Sequence, residues 1–140
     1  MAYSTQSDIL EQLSFDELLG LTDDEQDESV NASVVTRVIA DADAEIDAYC
    51  GKLYALPFSA APPILLKLSV DMAIYNLYSR RGLVPDFRDV RYRNALKLLA
   101  NIAKGEVTLG VQPAPDPNSE QAAQTSSNDR IFTRDTMRNF

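Results

Sequence analysis

Between Pro62 and Arg81 the chain reads PPILLKLSVDMAIYNLYSRR, and its apolar residues point in nearly every direction of a helical wheel. A helix that is hydrophobic all round is a buried one. Lys67, Asp71 and Asn76 interrupt the run too often for it to span a bilayer. Pro62 and Pro63 suit a helical first turn, and Gly82 with Pro85 suits a stop. The pattern predicts a central helix over Pro63–Arg81, around which the other elements pack.

The flanking segments are patterned differently. Val35, Val38, Ala42, Ile46, Tyr49 and Leu53 recur at steps of three and four, which predicts a one-sided helix over Ala32–Tyr54 with Asn31 as its cap. Its back carries the small residues Ala40, Ala44, Ala48 and Gly51. Tyr92, Ala95, Leu96, Leu99, Ile102 and Ala103 predict another over Asp86–Lys104, with Asp86 as cap and Gly105 just past its end. Thr5 with Asp8 and Ser14 with Glu17 have capping-box spacing. They predict a short helix over Gln6–Leu13 and a second turn closed by Gly20. Ala55–Pro63, with three prolines, is an apolar connector. Glu106–Val111 has the composition of a short strand, and Gln112–Asn128 has none of the periodicity that builds a core. The fold class expected is all-α: a small bundle around a central buried helix (residues 1–110), followed by a long irregular C-terminal tail (residues 111–140).

Charge sharpens this picture. The net charge of −8 is unevenly spread: residues 1–50 hold thirteen acids and one base, whereas residues 51–105 hold three acids and nine bases. Either the two segments pair within one domain, or acidic and basic faces meet between copies, where complementary charge guides and registers association. The chain has no histidine, which argues against zinc sites and histidine-based acid–base catalysis. Its single cysteine, Cys50, permits no internal disulfide. Neither a secretion signal nor a membrane span is legible.

Few residues suggest chemistry. Leu21–Ser29 is strongly acidic but lacks the alternation and the glycine of an EF-hand loop. Asp41, Asp43, Glu45 and Asp47 tempt a metal-site reading, yet side chains two apart on a helix diverge. They are better candidates for a subunit interface, facing Arg93, Lys97 and Lys104 of another copy across the far side of the Asp86–Lys104 helix. A plain solvated face is the alternative for both sets. Asp71, the one acid in the buried helix, needs a partner. Lys67 lies one turn before it, and Arg91 or Arg93 could reach it from the next helix as a structural ion pair. At the C-terminus, Ile131, Phe132, Met137 and Phe140 lie among Arg130, Arg134 and Arg138, residue types enriched at interface hot spots. A linker followed by such a segment reads as a tethered anchor, or else as a frayed terminus. No catalytic, cofactor-binding or metal-binding residues are expected, and the chain is not expected to be an enzyme.

An ordered set of short matches carries a family resemblance. Tyr3-Ser4-Thr5-Gln6 with Asp8-Ile9 opens it, and Leu21-Thr22-Asp23, Ala40-Asp41-Ala42, Glu45-Ile46-Asp47 and Tyr54-Ala55-Leu56-Pro57 continue it. Asp71-Met72-Ala73, Leu77-Tyr78, Arg91-Tyr92 and Gly105 with Leu109-Gly110 complete it. In this order the chain resembles the Mu-like phage structural family. It is similar in plan to the small helical head–tail connector, or adaptor, proteins of long-tailed phages. That resemblance implies a virion protein at the head–tail interface, assembled in the host cytoplasm. It implies a homo-oligomeric ring, commonly of twelve copies, between the portal protein and a tail-side stopper or terminator protein. DNA would pass through the ring without sequence-specific binding, and no membrane is involved. Two rivals follow from the residues alone. One is a DNA-binding or DNA-packaging accessory protein using Arg80, Arg81, Arg88, Arg91 and Arg93. The other is a metal-dependent enzyme using Asp43 and Asp47.

Overall fold

A computed structural model describes residues 1–117 of the chain, so the anchor expectation for Arg130–Phe140 lies outside the described residues. Five helices follow in order: α1 (Gln6–Leu10), α2 (Phe15–Thr22), α3 (Ala32–Cys50), α4 (Pro63–Ser79) and α5 (Asp86–Ala103). No strand occurs among the described residues, and the fold is all-α.

α4 is the centre. Every residue from Leu68 to Ile74 is buried, and Leu77 extends the run. It reaches the surface at its two ends, where Pro63, Leu66 and Lys67 at the start and Ser79 at the finish are exposed. Burying each large aliphatic side chain here is worth about 1.5–3 kcal/mol, which explains why the other elements wrap this helix. α3 packs most extensively on α4, α5 lies against both, and α1 and α2 cover α4 from the N-terminal side. The stripe on α3 is buried at Val35, Val38, Ala42 and Ile46, with Tyr49 and Leu53 partly covered.

Local signals set most boundaries. Both capping boxes form, Thr5 with Asp8 and Ser14 with Glu17. The Asn31 side chain accepts from the backbone N–H groups of Ser33 and Val34, and Gly105 takes the left-handed conformation (φ +78°) just beyond α5.

Several boundaries differ from expectation, among them the ends of α4, at Ser79 rather than Arg81, and of α5, at Ala103 rather than Lys104. α1 ends at Leu10 rather than Leu13. Gly20 lies inside α2, which runs on to Thr22 because Leu21 and Thr22 are buried. The Thr22 hydroxyl donates to the Leu18 carbonyl (2.9 Å) and accepts the Asn31 N–H (3.3 Å), clasping the base of the acidic loop. α3 stops at Cys50, and Tyr54 turns inward with its ring against Phe58. Asp86 is the first residue of α5 rather than its cap; Pro85 holds the cap position without a side-chain bond.

The expected strand over Glu106–Val111 is also absent. The N–H groups of Glu106 and Val107 fold back onto the Asn101 carbonyl, and no second strand is present to form a ladder. Val107, Leu109 and Val111 pack on the core from an irregular segment. The Leu109 N–H donates to the Tyr54 hydroxyl (3.1 Å), and the Ala114 N–H donates to the Leu53 carbonyl (2.7 Å). The start of the tail is thus laid against the C-terminal end of α3.

Candidate functional site

The four acids of α3 point in different directions, and each meets a different neighbour. Asp41 is exposed, at a polar cleft shared with Arg37, Glu45, Asn76, Ser79 and Arg80. Glu45 faces α5 and accepts from the Tyr92 hydroxyl (3.2 and 3.3 Å). Burial first, then the charge and the hydrogen bond of Glu45, push the Tyr92 phenol up to about 12. The Tyr92 ring stacks on Tyr75 at 3.9 Å. Asp47 turns the other way and accepts from the Tyr3 hydroxyl, which raises that phenol together with the larger effect of burial.

Asp43, a candidate for the subunit interface, is instead buried within its own chain, 5% exposed. Its carboxylate accepts the Tyr3 N–H (3.0 Å) and the Ser69 hydroxyl (2.6 Å). Ser69 spends its one proton on Asp43, so Ser4, at 2.7 Å, is the donor to Ser69. A relay therefore runs from Ser4 through Ser69 to Asp43 and ties the N-terminal segment to α3 and α4. Burial holds the Asp43 carboxyl above its ordinary value, against the lowering effect of the Ser69 and Tyr3 bonds.

Sequence reasoning missed this relay. Ile39, one turn before Asp43 and also buried, widens the core face of α3 toward Asp43. It was the available signal, with Ser69 as the odd polar residue in an apolar run.

Asp71 is buried, with a side chain 3% exposed. Lys67 Nζ lies 2.9 Å from one carboxylate oxygen and Arg91 3.7 Å from the other. Arg93 does not reach Asp71; it bonds to Asp89 on its own helix. The arginines that could have met DNA are likewise engaged inside the chain. Arg80 and Arg81 both pair with Asp24 of the acidic loop and bond the Leu21 carbonyl. Arg88 is buried and bonds the Gln12 carbonyl and side chain, which Arg91 shares. By contrast, Arg93, Lys97 and Lys104 are exposed on the outer side of α5. Lys97 and Lys104 make no salt bridge among the described residues. No cluster of three or more acids or cysteines able to hold a metal ion occurs among the described residues. No described helix is long and apolar enough to cross a membrane.

Comparison with known proteins settles the kinship. The model of the family described as Bacteriophage Mu, Gp36 matches residues 3–127. The chain belongs to this family. It is also similar to gene product J of Escherichia phage Mu, with 26% identity over 104 residues that cover 73% of this chain and 72% of that protein. It is thus a protein of the phage Mu kind, as the resemblance in its sequence implied. The matched span takes in the Ser4–Ser69–Asp43 relay, the Asp71 pair and all five helices.

Proposed function

We propose that this protein is a structural virion component, a head–tail connector whose copies form a ring beneath the portal, extend the DNA channel and dock the tail. The observation that carries the reading is how the charges are distributed after folding. Arg80, Arg81, Arg88, Arg91 and Arg93 each have intrachain partners. Phosphate binding rests on cations free to displace counterions, so a DNA-binding role is disfavoured and a channel past which DNA slides is favoured. What stays available on α3 is the shoulder that carries exposed Asp41 and half-buried Glu45. The matching element is the basic ridge on α5, where Lys97 and Lys104 are exposed without an ion-pair partner among the described residues and Arg93, paired with Asp89, flanks them. Such head-to-tail contacts close into a ring when the rotation permits. The described residues offer no convergent catalytic group, which favours a structural role over the metal-enzyme reading.

Native mass spectrometry of the protein with and without purified portal tests the ring. A defined oligomer is expected; a monomer in both conditions, with strongly salt-dependent DNA affinity, would favour the packaging reading. The pairing has its own test. Asp41→Lys and Lys97→Asp should each weaken assembly, and together they should restore it. If both variants fold and the pair restores nothing, these charges face water or other proteins.

A further inference from the structure

A groove of about 480 Å³ runs between the N-terminal segment and the outer face of α3. Val35 and Ile39 form its apolar floor, Ala40 and Ala44 leave it open, and Met1 and Ala2 line its other wall. Asp43 and Asp47 lie at its edge, and no lysine or arginine lines it. The relay described above holds its N-terminal wall in place, with Ser4 in the wall and Tyr3 buried behind it. The groove is therefore a built feature, apolar at its base and acidic at one side, on the face of α3 turned away from α5.

We propose that this groove receives the C-terminal segment Arg130–Phe140 of a neighbouring copy. The inference rests on the ring reading and adds to it the place where the anchor docks. Three observations carry it. The segment offers the complementary chemistry: Ile131, Phe132, Met137 and Phe140 for an apolar floor, and Arg130, Arg134 and Arg138 for an acidic edge. The volume lies within the roughly 300–1,000 Å³ of pockets that enclose organic groups. The length suffices as well. The chain passes Leu53, at the end of α3, before leaving the described residues at Pro117. The intervening stretch 118–129 spans up to about 40 Å when extended. A domain of about 110 residues is on the order of 35 Å across, so the stretch can reach a copy packed beside it. In a ring each copy supplies one groove and one segment, so exchange satisfies every copy, and linkage raises the effective concentration of each segment.

Disulfide trapping in the full chain tests this. Ala44→Cys is placed in one preparation and Asn139→Cys in another, which keeps every anchor residue. Cys50 does not compete, because it is fully buried and burial pushes its thiol up to about 11. The two preparations are mixed, their oligomers defined by native mass spectrometry, and then oxidised. A covalent dimer joining the two variants is expected, and it should be lost when Val35→Arg is added to the Ala44→Cys chain or when Asp16→Cys, exposed and outside the groove, replaces Ala44→Cys. Circular dichroism establishes that each chain is folded. An oligomer without the covalent dimer overturns the inference and leaves the ring reading standing. A third chain carrying both cysteines is oxidised alongside; a disulfide that forms only within that chain also overturns the inference, since the segment then occupies its own groove. Absence of any oligomer, with or without portal, overturns the ring reading and the inference with it.

Discussion

Helices α3 and α4 lie side by side and have nearly the same length, yet their polar residues are treated differently. On α4 the run Leu68–Ile74 is wholly buried, so Ser69 and Asp71 must find partners inside the chain. They do so in different directions, Ser69 toward Asp43 and Ser4, and Asp71 toward Lys67 and Arg91. On α3 one side is core and the rest meets water or light cover, so Asp41 has no such demand. The instructive residue is Asp43. It belongs to the partly exposed helix but is buried like the polar residues of α4, because the N-terminal segment folds over it. Burial, rather than the helix a residue belongs to, decides whether a carboxylate is structural or available to another protein.

The contrast can be broken most forcefully at its apolar end. Ile74→Ala removes a fully buried side chain from α4 and should cost about 2–5 kcal/mol in denaturant unfolding. Ala48→Lys, on the exposed back of α3, should stay within about ±0.5 kcal/mol. Equal costs at the two positions would mean that α4 is not the centre of the core.

The Asp71 pair sharpens the comparison at intermediate size. Lys67 is 63% exposed and Arg91 is also exposed, so Asp71→Ala returns both cations to water and should cost about 1.5 kcal/mol. Removing both cations instead, with Lys67→Ala and Arg91→Ala, leaves a buried carboxylate without its salt-bridge partners. That combination should cost more, about 3 kcal/mol, although the nearby Arg88 charge softens it. A double variant more stable than Asp71→Ala would show that water reaches the carboxylate.

The smallest effect concerns pH. The Asp43 carboxyl titrates above its ordinary value when folded, chiefly through burial. Its contribution to stability is therefore fully present below the unfolded value of about 4 and is lost as pH rises through the folded value. Asp43→Asn keeps an acceptor for the Tyr3 N–H and removes the ionisation. The melting temperature of this variant should gain on the parent's between about pH 4 and pH 7. A difference that does not change with pH would mean that Asp43 is not desolvated.

The sequence by itself determined the α-helical class, the central position of α4 and the core stripes of α3 and α5, because apolar periodicity is a local property of the chain. It also determined the two capping boxes, the Asn31 cap and the turn at Gly105, whose bonds or backbone needs lie within a few residues. What it left open was decided at longer range. Gly20 was read as a stop because glycine so often ends helices, but burial of Leu21 and Thr22 carries α2 past it. Glu106–Val111 had strand composition, but a strand exists only with a neighbour to pair with, and here the backbone turns back to Asn101. The partners of the polar side chains were the least legible. Tyr3 meets Asp43 across 40 residues, Ser4 meets Ser69 across 65, and Arg91 meets Gln12 across 79. A charged residue carries no mark of which distant residue will approach it, so only the packing of the helices could decide which acids and bases are spent inside the chain and which remain for other proteins.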